Sequence, residues 1–245
     1  LTRLKDSIAT QKRFLADAAH QLKTPLAGLR MQADLAQRAG ASAEELKKSL
    51  EQIGRSSMRA THTVNQLLSL ARAESTGAVI PTQVCDLVAL TLEVVQDSLP
   101  RAMDRAIDLG YEGPDVGTRS AWTIGHPTLL KELIRNLVDN AINYTPSSTA
   151  KPGVVTARVL PQADGQSVWL QVEDSGPGIA PGEHELVFQP FYRALGNEAD
   201  GSGLGLPIVM EIAAKHGAKV TIEYAHPNQT SPGALFTVCF SSARP

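Results

Sequence analysis

The sequence predicts a two-part α+β chain: an antiparallel helical hairpin that pairs with a second copy as a four-helix bundle, then an α/β sandwich in which helices cover one sheet. Three observations carry that prediction. Residues 1 to 74 hold apolar side chains at alternating steps of four and three, almost without strand signals. The stretch STGAVIP, residues 75 to 81, breaks the pattern. Beyond it, short β-branched and aromatic runs alternate with helical stretches. The expected units are 1–74, a linker at 75–81, and 82–245.

The first helix is read from Leu15, Ala19, Leu22, Leu26, Leu29, Ala33 and Ala36. Their period of about 3.5 residues is that of a supercoiled seam. Gly40 suits a helix C-cap, and Ser42 with Glu45 three residues on reads as a capping box for the second helix. That helix continues the period through Leu46, Leu50, Ile53, Ser57, Ala60, Val64, Leu67 and Ala71. So short a connection makes the two helices antiparallel neighbours. One hairpin cannot bury its own seam, whereas two can, so a homodimer through residues 1–74 is expected.

In the second part, strands are expected at Val84–Asp86, Ile107–Tyr111, Val154–Leu160, Val168–Glu173, Val220–Tyr224 and Leu235–Phe240. Helices are expected at 87–99, 127–143 and 204–216, with Pro127 at a first helical position, where its missing N–H costs nothing.

Composition narrows the function. A formal net charge of −2 over 245 residues gives no general reason to expect nucleic acid as a partner. Cys85 and Cys239 lie far apart in apolar runs, without CxxC spacing, and are read as buried reduced thiols. No apolar run approaches the ~18 residues that span a bilayer. The chain begins at Leu1 in mid-helix pattern, so it is read as a fragment whose membrane segments precede it.

Three motifs carry chemistry. TLLKELIRNLVDNAINYTP (128–146) puts Glu132, Asn136, Asn140 and Tyr144 at steps of four on one helical face. Asparagine is a mediocre helix former, and its amide oxygen is a ligand for a hard cation such as Mg²⁺; a solvated polar face is the plain alternative. LQVEDSGPGI (170–179) places Asp174 at a strand end, followed by Gly176 and Gly178. A carboxylate there accepts a hydrogen bond from an exocyclic amine, although DSG alone also reads as a turn. DGSGLGLPIVMEIAAKHG (200–217) sets Gly201, Gly203 and Gly205 before a helix, where bare backbone N–H groups and the helix dipole suit phosphate.

In this order, about 35 and about 28 residues apart, the motifs resemble the N box and two glycine boxes of the ATP-binding domain of sensor histidine kinases, a branch of the GHKL ATPases. LVFQPFYRA (186–194) resembles that family's F box, and FLADAAHQLKTPL (14–26) its H box. The wording AHQLKTPLAGL resembles the branch of sensors associated with tricarboxylate transport. The resemblance implies that His20 accepts phosphate and that Asn140 binds Mg²⁺, with Asn136 near the phosphates and Glu132 a metal or water-bridging acid. It implies that Asp174 reads the adenine amino group, with Gly176 and Gly178 admitting the base and Tyr144 packing near adenine or ribose. Arg193 is implied near the transferred phosphate, and Gly201, Gly203, Gly205 and Leu206 at the phosphate end, with 194–203 as a short lid. The implied partner is a response-regulator receiver domain, and the implied setting the cytoplasmic side of a bacterial inner membrane.

His20 falls beside the seam residue Ala19, on the bundle's flank, and a neutral imidazole nitrogen is a competent nucleophile near pH 7. Pro25 crowds the carbonyl of Gln21 and loosens the helix there. Gln21 departs from the family pattern, in which an acid usually follows the histidine as a general base. Thr24 matches the family position that orients water for removing phosphate from the regulator. The expected reaction is transfer of the ATP γ-phosphoryl group to His20 and then to a regulator aspartate. Two other classes stay open on sequence alone: a GHKL ATPase used as a conformational clamp, and a nucleotide-gated scaffold or phosphatase.

Overall fold

A computed structural model describes residues 23, 26–37, 42–74, 81–193 and 203–243. The chain divides into two compact units, Leu1–Arg72 and Ala73–Pro245.

In the first unit, α1 is helical over 26–36 and α2 spans Ala43–Glu74. The capping box forms as expected. The Ser42 backbone N–H and hydroxyl both donate to Glu45 Oε2 at 2.8 Å, and the Glu45 N–H donates to Ser42 Oγ at 3.3 Å. These bonds hold the Glu45 carboxyl below its usual pKa. Part of the apolar series is left exposed within one chain: Leu26, Leu46 and Val64 are exposed, and Leu50 is 64% exposed. Ser49 and Ser56, one heptad apart, are buried instead, whereas the expected seam residue Ser57 is exposed. Gly28 lies close to Ser56, a Cβ there falling 3.7 Å from its hydroxyl oxygen. Small residues at the hairpin's own contact leave the larger aliphatic side chains on the outside.

The second unit holds a five-stranded sheet in the order β2-β4-β5-β7-β6, and a two-stranded ribbon of β1 and β3. The strands are β1 Gln83–Asp86, β2 Ile107–Glu112, β3 Trp122–Gly125, β4 Gly153–Pro161, β5 Ser167–Asp174, β6 Lys219–Tyr224 and β7 Ala234–Ser241. Only β2 and β4 pair in parallel, the connection between them carrying β3 and α4 (Pro127–Tyr144). Along β5, Val168, Leu170, Val172 and Asp174 point inward, and Val155, Ala157, Val159, Phe236, Val238 and Phe240 complete the buried face. Period-two alternation puts one face of each strand under the helices.

Two expectations need correction. The helix read as 87–99 is α3, Leu87–Asp104, and runs on through Pro100. Proline removes the N–H that would bond Gln96, but both residues are exposed, so the Gln96 carbonyl is not left orphaned in the core. Strand β3 was not anticipated. It is four residues long, and its pairing comes from the distant β1, Gln83 opposite Gly125 and Asp86 opposite Trp122. A bridge between Thr123 and Ser242 ties the ribbon to the sheet's end.

The helix α4 is fixed from both sides. Toward α3, Arg101 donates to Asp139 and to the Asn143 side-chain oxygen, both at 2.6 Å; Arg135 pairs with Asp97 at 2.7 Å, and Lys131 with Glu93. Toward α5 (Gly205–Lys215), the C-cap residue His216 reaches back to the start of α4. Its Nε2 accepts from the His126 N–H at 3.0 Å, which puts the proton on Nδ1, 2.7 Å from the Ile212 carbonyl. Among the described residues no helix is long and apolar enough to cross a membrane.

Candidate nucleotide site

Helix α4 is buried on most of its circumference, and its polar stripe is not uniformly solvated. Asn136 is only 5% exposed, and its Nδ2 donates to the Glu132 carbonyl at 2.9 Å and to Glu132 Oε1 at 3.4 Å. The plain alternative of a solvated face therefore fails at Asn136. Asn140, one turn on, is half-buried and makes no side-chain hydrogen bond among the described residues. Its amide oxygen is available to a ligand, which is what a hard cation requires. Groups of three or more His, Cys, Asp or Glu that could hold a metal are absent among the described residues. Tyr144 ends the helix, half-buried.

Asp174 ends β5 at 6% exposure. Its Oδ1 accepts from the backbone N–H of Gly176 at 2.8 Å and from that of Ala234 at 3.2 Å. Burial raises its pKa, the two N–H donors pull it down, and neighbouring Glu173 raises it; the net direction is up. Its second oxygen takes no hydrogen bond from the described residues, so a buried carboxylate is left with one oxygen fixed and one open. Gly176 closes this corner: a Cβ there would come 2.9 Å from both Asp174 Oδ1 and the Tyr144 carbonyl oxygen. Gly178 adopts φ +74°, and a side chain there would meet the Tyr224 ring at 2.8 Å. Close approach requires both glycines, and Gly178 in addition meets the positive φ of its turn.

At the other end, α5 begins at Gly205 with Leu204 as its cap and no side-chain hydrogen bond to the cap. The first N–H groups of the helix are thus not satisfied by a capping side chain. Leu204 and Leu206 are buried, which anchors this helix start. Gly203 adopts φ +72° and its carbonyl accepts from the Phe191 N–H at 2.8 Å, Phe191 itself standing at φ +65°. Arg193 is exposed.

The structure brings Tyr144, Asp174 and Gly176 into one corner, and Glu132 against Asn136. His20, Gln21, Thr24 and Gly201, with Asp17, Pro25 and the stretch 194–202, lie outside the described residues. Sequence reasoning missed Gly233 and Ala234, which close the back of the Asp174 corner. The signal was present as a glycine immediately before the last strand, in SPGALF.

Comparison with known proteins identifies the family. Residues 125–244 match the family of histidine kinase-, DNA gyrase B- and HSP90-like ATPases. Residues 10–76 match the His kinase A (phospho-acceptor) domain. The sensor protein QseC of Escherichia coli (strain K12) is 36% identical over 210 residues, 86% of this chain and 44% of that one. The signal transduction histidine-protein kinase/phosphatase MprB of Mycobacterium sp. (strain KMS) is 35% identical over 246 residues, 97% of this chain and 45% of that one. A solved structure, the mycobacterial sensor histidine kinase MprB, is 30% identical with a TM-score of 0.54, covering 67% of this chain and all of that one. The fold and the family match over 125–244 define an ATPase domain of the GHKL class. With the phospho-acceptor domain ahead of it, the chain belongs to the sensor histidine kinases, and it spans a little under half the length of the curated relatives it matches.

Proposed function

We propose that this chain is the kinase portion of a membrane-anchored sensor and that it phosphorylates its own His20 from ATP. The observation that carries the reading is Asp174, a buried carboxylate with one oxygen locked by two backbone donors and the other open beside Gly176. A donor–acceptor pattern of that kind fits the exocyclic amine of adenine. Asn140 presents an uncommitted amide oxygen, and the start of α5 presents uncapped N–H groups, which suit Mg²⁺ and phosphate respectively. Asn136, Glu132, Gly203, Gly205 and Leu206 shape the same two ends of the site. Bound Mg²⁺ would neutralise charge on the phosphate oxygens; Asn140, with Glu132 nearby, is the residue to hold it.

In the reaction, an imidazole nitrogen of His20 attacks the γ-phosphorus. An N–P bond forms, the bond to the bridging oxygen breaks, ADP departs, and the imidazole loses the proton on its other nitrogen. Arg193 and the glycine backbone offset charge developing on the transferred group. The phosphoryl group then passes to an aspartate of a response-regulator receiver domain, and Thr24 serves the reverse duty of orienting water to remove it. Exposed Leu26, Leu46, Leu50 and Val64 supply the dimer seam. The functional division is 1–74 for dimerisation and phosphotransfer, 75–81 as linker, and 82–245 for ATP.

The test is labelling with γ-labelled ATP. An acid-labile, base-stable label that disappears in His20→Gln, with nucleotide binding intact, is the expected result. Label that survives that substitution, or nucleotide hydrolysis with no labelled protein, overturns the assignment.

A further inference from the structure

The turn that joins β6 to β7 touches the Asp174 corner at three points. Tyr224 and Ala234 are register partners at its base. Within it, Ala225 N–H donates to the Gly233 carbonyl at 3.3 Å and His226 N–H to the Pro232 carbonyl at 2.6 Å, so the turn is closed on itself. His226 Nε2 stands 3.2 Å from Glu173 Oε1 and ties the turn to β5. From this frame Gly233 N–H donates to the Gly176 carbonyl at 2.9 Å, and Ala234 N–H to Asp174 Oδ1 at 3.2 Å. The Tyr224 ring backs Gly178.

Gly233 is the residue on which this contact depends. It adopts φ +66°, and a Cβ built on it would overlap the Asp174 carbonyl oxygen. Only glycine allows the two backbones to lie this close. We infer that Gly233 is a positioning residue for base selectivity: by holding the β6–β7 turn against β5 it keeps the Ala234 N–H on Asp174 Oδ1, and so keeps Oδ2 turned toward the base. The proposal rests on the reading that Asp174 accepts a hydrogen bond from the adenine amino group. With the Ala234 donor withdrawn, Oδ1 keeps only the Gly176 N–H, and the carboxylate is free to turn about its own bond.

Two probes that differ only in the 6-amino group separate the possibilities: ATP, and purine riboside triphosphate, which carries hydrogen there. Affinities for both are measured on the full chain in its native form, in Gly233→Ala, and in a semisynthetic chain with an ester oxygen in place of the Ala234 N–H. The ester removes one donor without adding volume, and it decides the matter if Gly233→Ala does not fold. The native chain is expected to prefer ATP by about tenfold or more, the cost of leaving a charged acceptor unpaired. In both altered chains that preference should fall several-fold while affinity for purine riboside triphosphate stays within about twofold. No preference in the native chain sinks the reading of Asp174 and this proposal with it. A native preference that persists in the altered chains overturns the role of Gly233 and leaves the Asp174 reading standing. Equal loss of both nucleotides also overturns it, since it assigns Gly233 to folding alone.

Discussion

Burial raises the proton affinity of Asp174, and folding stability responds with a definite sign. A carboxyl whose folded pKa lies above its unfolded value contributes stability that is fully present below the unfolded pKa, near 3.8. That contribution is lost as pH rises through the folded pKa. The surroundings of Asp174 in the ligand-free protein therefore disfavour its ionised form. Asp174→Asn keeps an oxygen for the Gly176 and Ala234 donors and removes the charge, so its melting temperature should be equal to or above that of the native chain. Its ATP affinity should drop by roughly tenfold to a hundredfold, because two amino groups would then face each other. Calorimetric binding and thermal melts on the same samples check both halves. Gln21 gives the second expectation at this scale. It can hold a hydrogen bond but cannot take a proton, and a positioned base is worth roughly 10²–10⁴-fold. Gln21→Glu should raise the labelling rate at saturating ATP. Asp17→Asn should lower it in the native background and matter less once Gln21→Glu is present. An unchanged or slower rate in Gln21→Glu removes the missing base as an explanation. Asp174, Gly176 and the asparagine stripe were legible because their spacing and neighbours lie within single motifs. Gly233 was not, since it meets Asp174 only through the pairing of β5 with β7, Glu173 opposite Leu235.

At the scale of elements, His216 joins the end of α5 to the start of α4 through a ring nitrogen that must stay unprotonated to accept from His126. Burial lowers its pKa, the Ile212 carbonyl partly opposes that, and His126 adds to the lowering. Its folded pKa lies below the unfolded 6.5, so the stability it contributes is complete above 6.5 and is lost as pH falls through the folded value. The melting temperature should decline between pH 7 and pH 5, and His216→Gln, whose amide oxygen accepts without titrating, should flatten that decline. On α2, Leu50 is exposed in the single chain and belongs to the expected dimer seam. Leu50→Asp should give monomers in sedimentation at micromolar concentration, since a seam cannot bury two unpaired charges, while ATP binding is retained. Helix α4 was legible in full from its Pro127 start and its apolar face. The end of α3 was not, because proline normally marks a boundary and is tolerated here by an exposed face. The four residues of β3 carry too little pattern to stand without β1.

For the whole molecule, the proposed acceptor and the proposed nucleotide site fall on different units, which makes complementation informative. Mixed dimers of His20→Gln with Asn140→Asp should regain label on the chain with intact His20 if transfer runs between subunits. No label in verified mixed dimers assigns transfer within a subunit. The α+β architecture was legible because the hydrophobic period itself changes near residue 75, from a helical seam to strand alternation. Which apolar residues face the partner rather than the hairpin was not. Both sets share one period, and among the described residues the burial of Ser49 and Ser56 marks the hairpin's own contact.

The chain passes between its two units once, at Arg72–Ala73, within the span of α2. On the proposed reading, that single covalent joint would make His20 a tethered substrate, met at an effective concentration set by linker reach rather than by protein concentration. Labelling per chain should therefore be independent of dilution for as long as dimers persist. The same two units supplied as separate polypeptides, 1–74 and 75–245, should label at a rate that rises linearly with the concentration of either. On the proposed reading, such a tether would favour His20 over other histidines without requiring any affinity of one unit for the other.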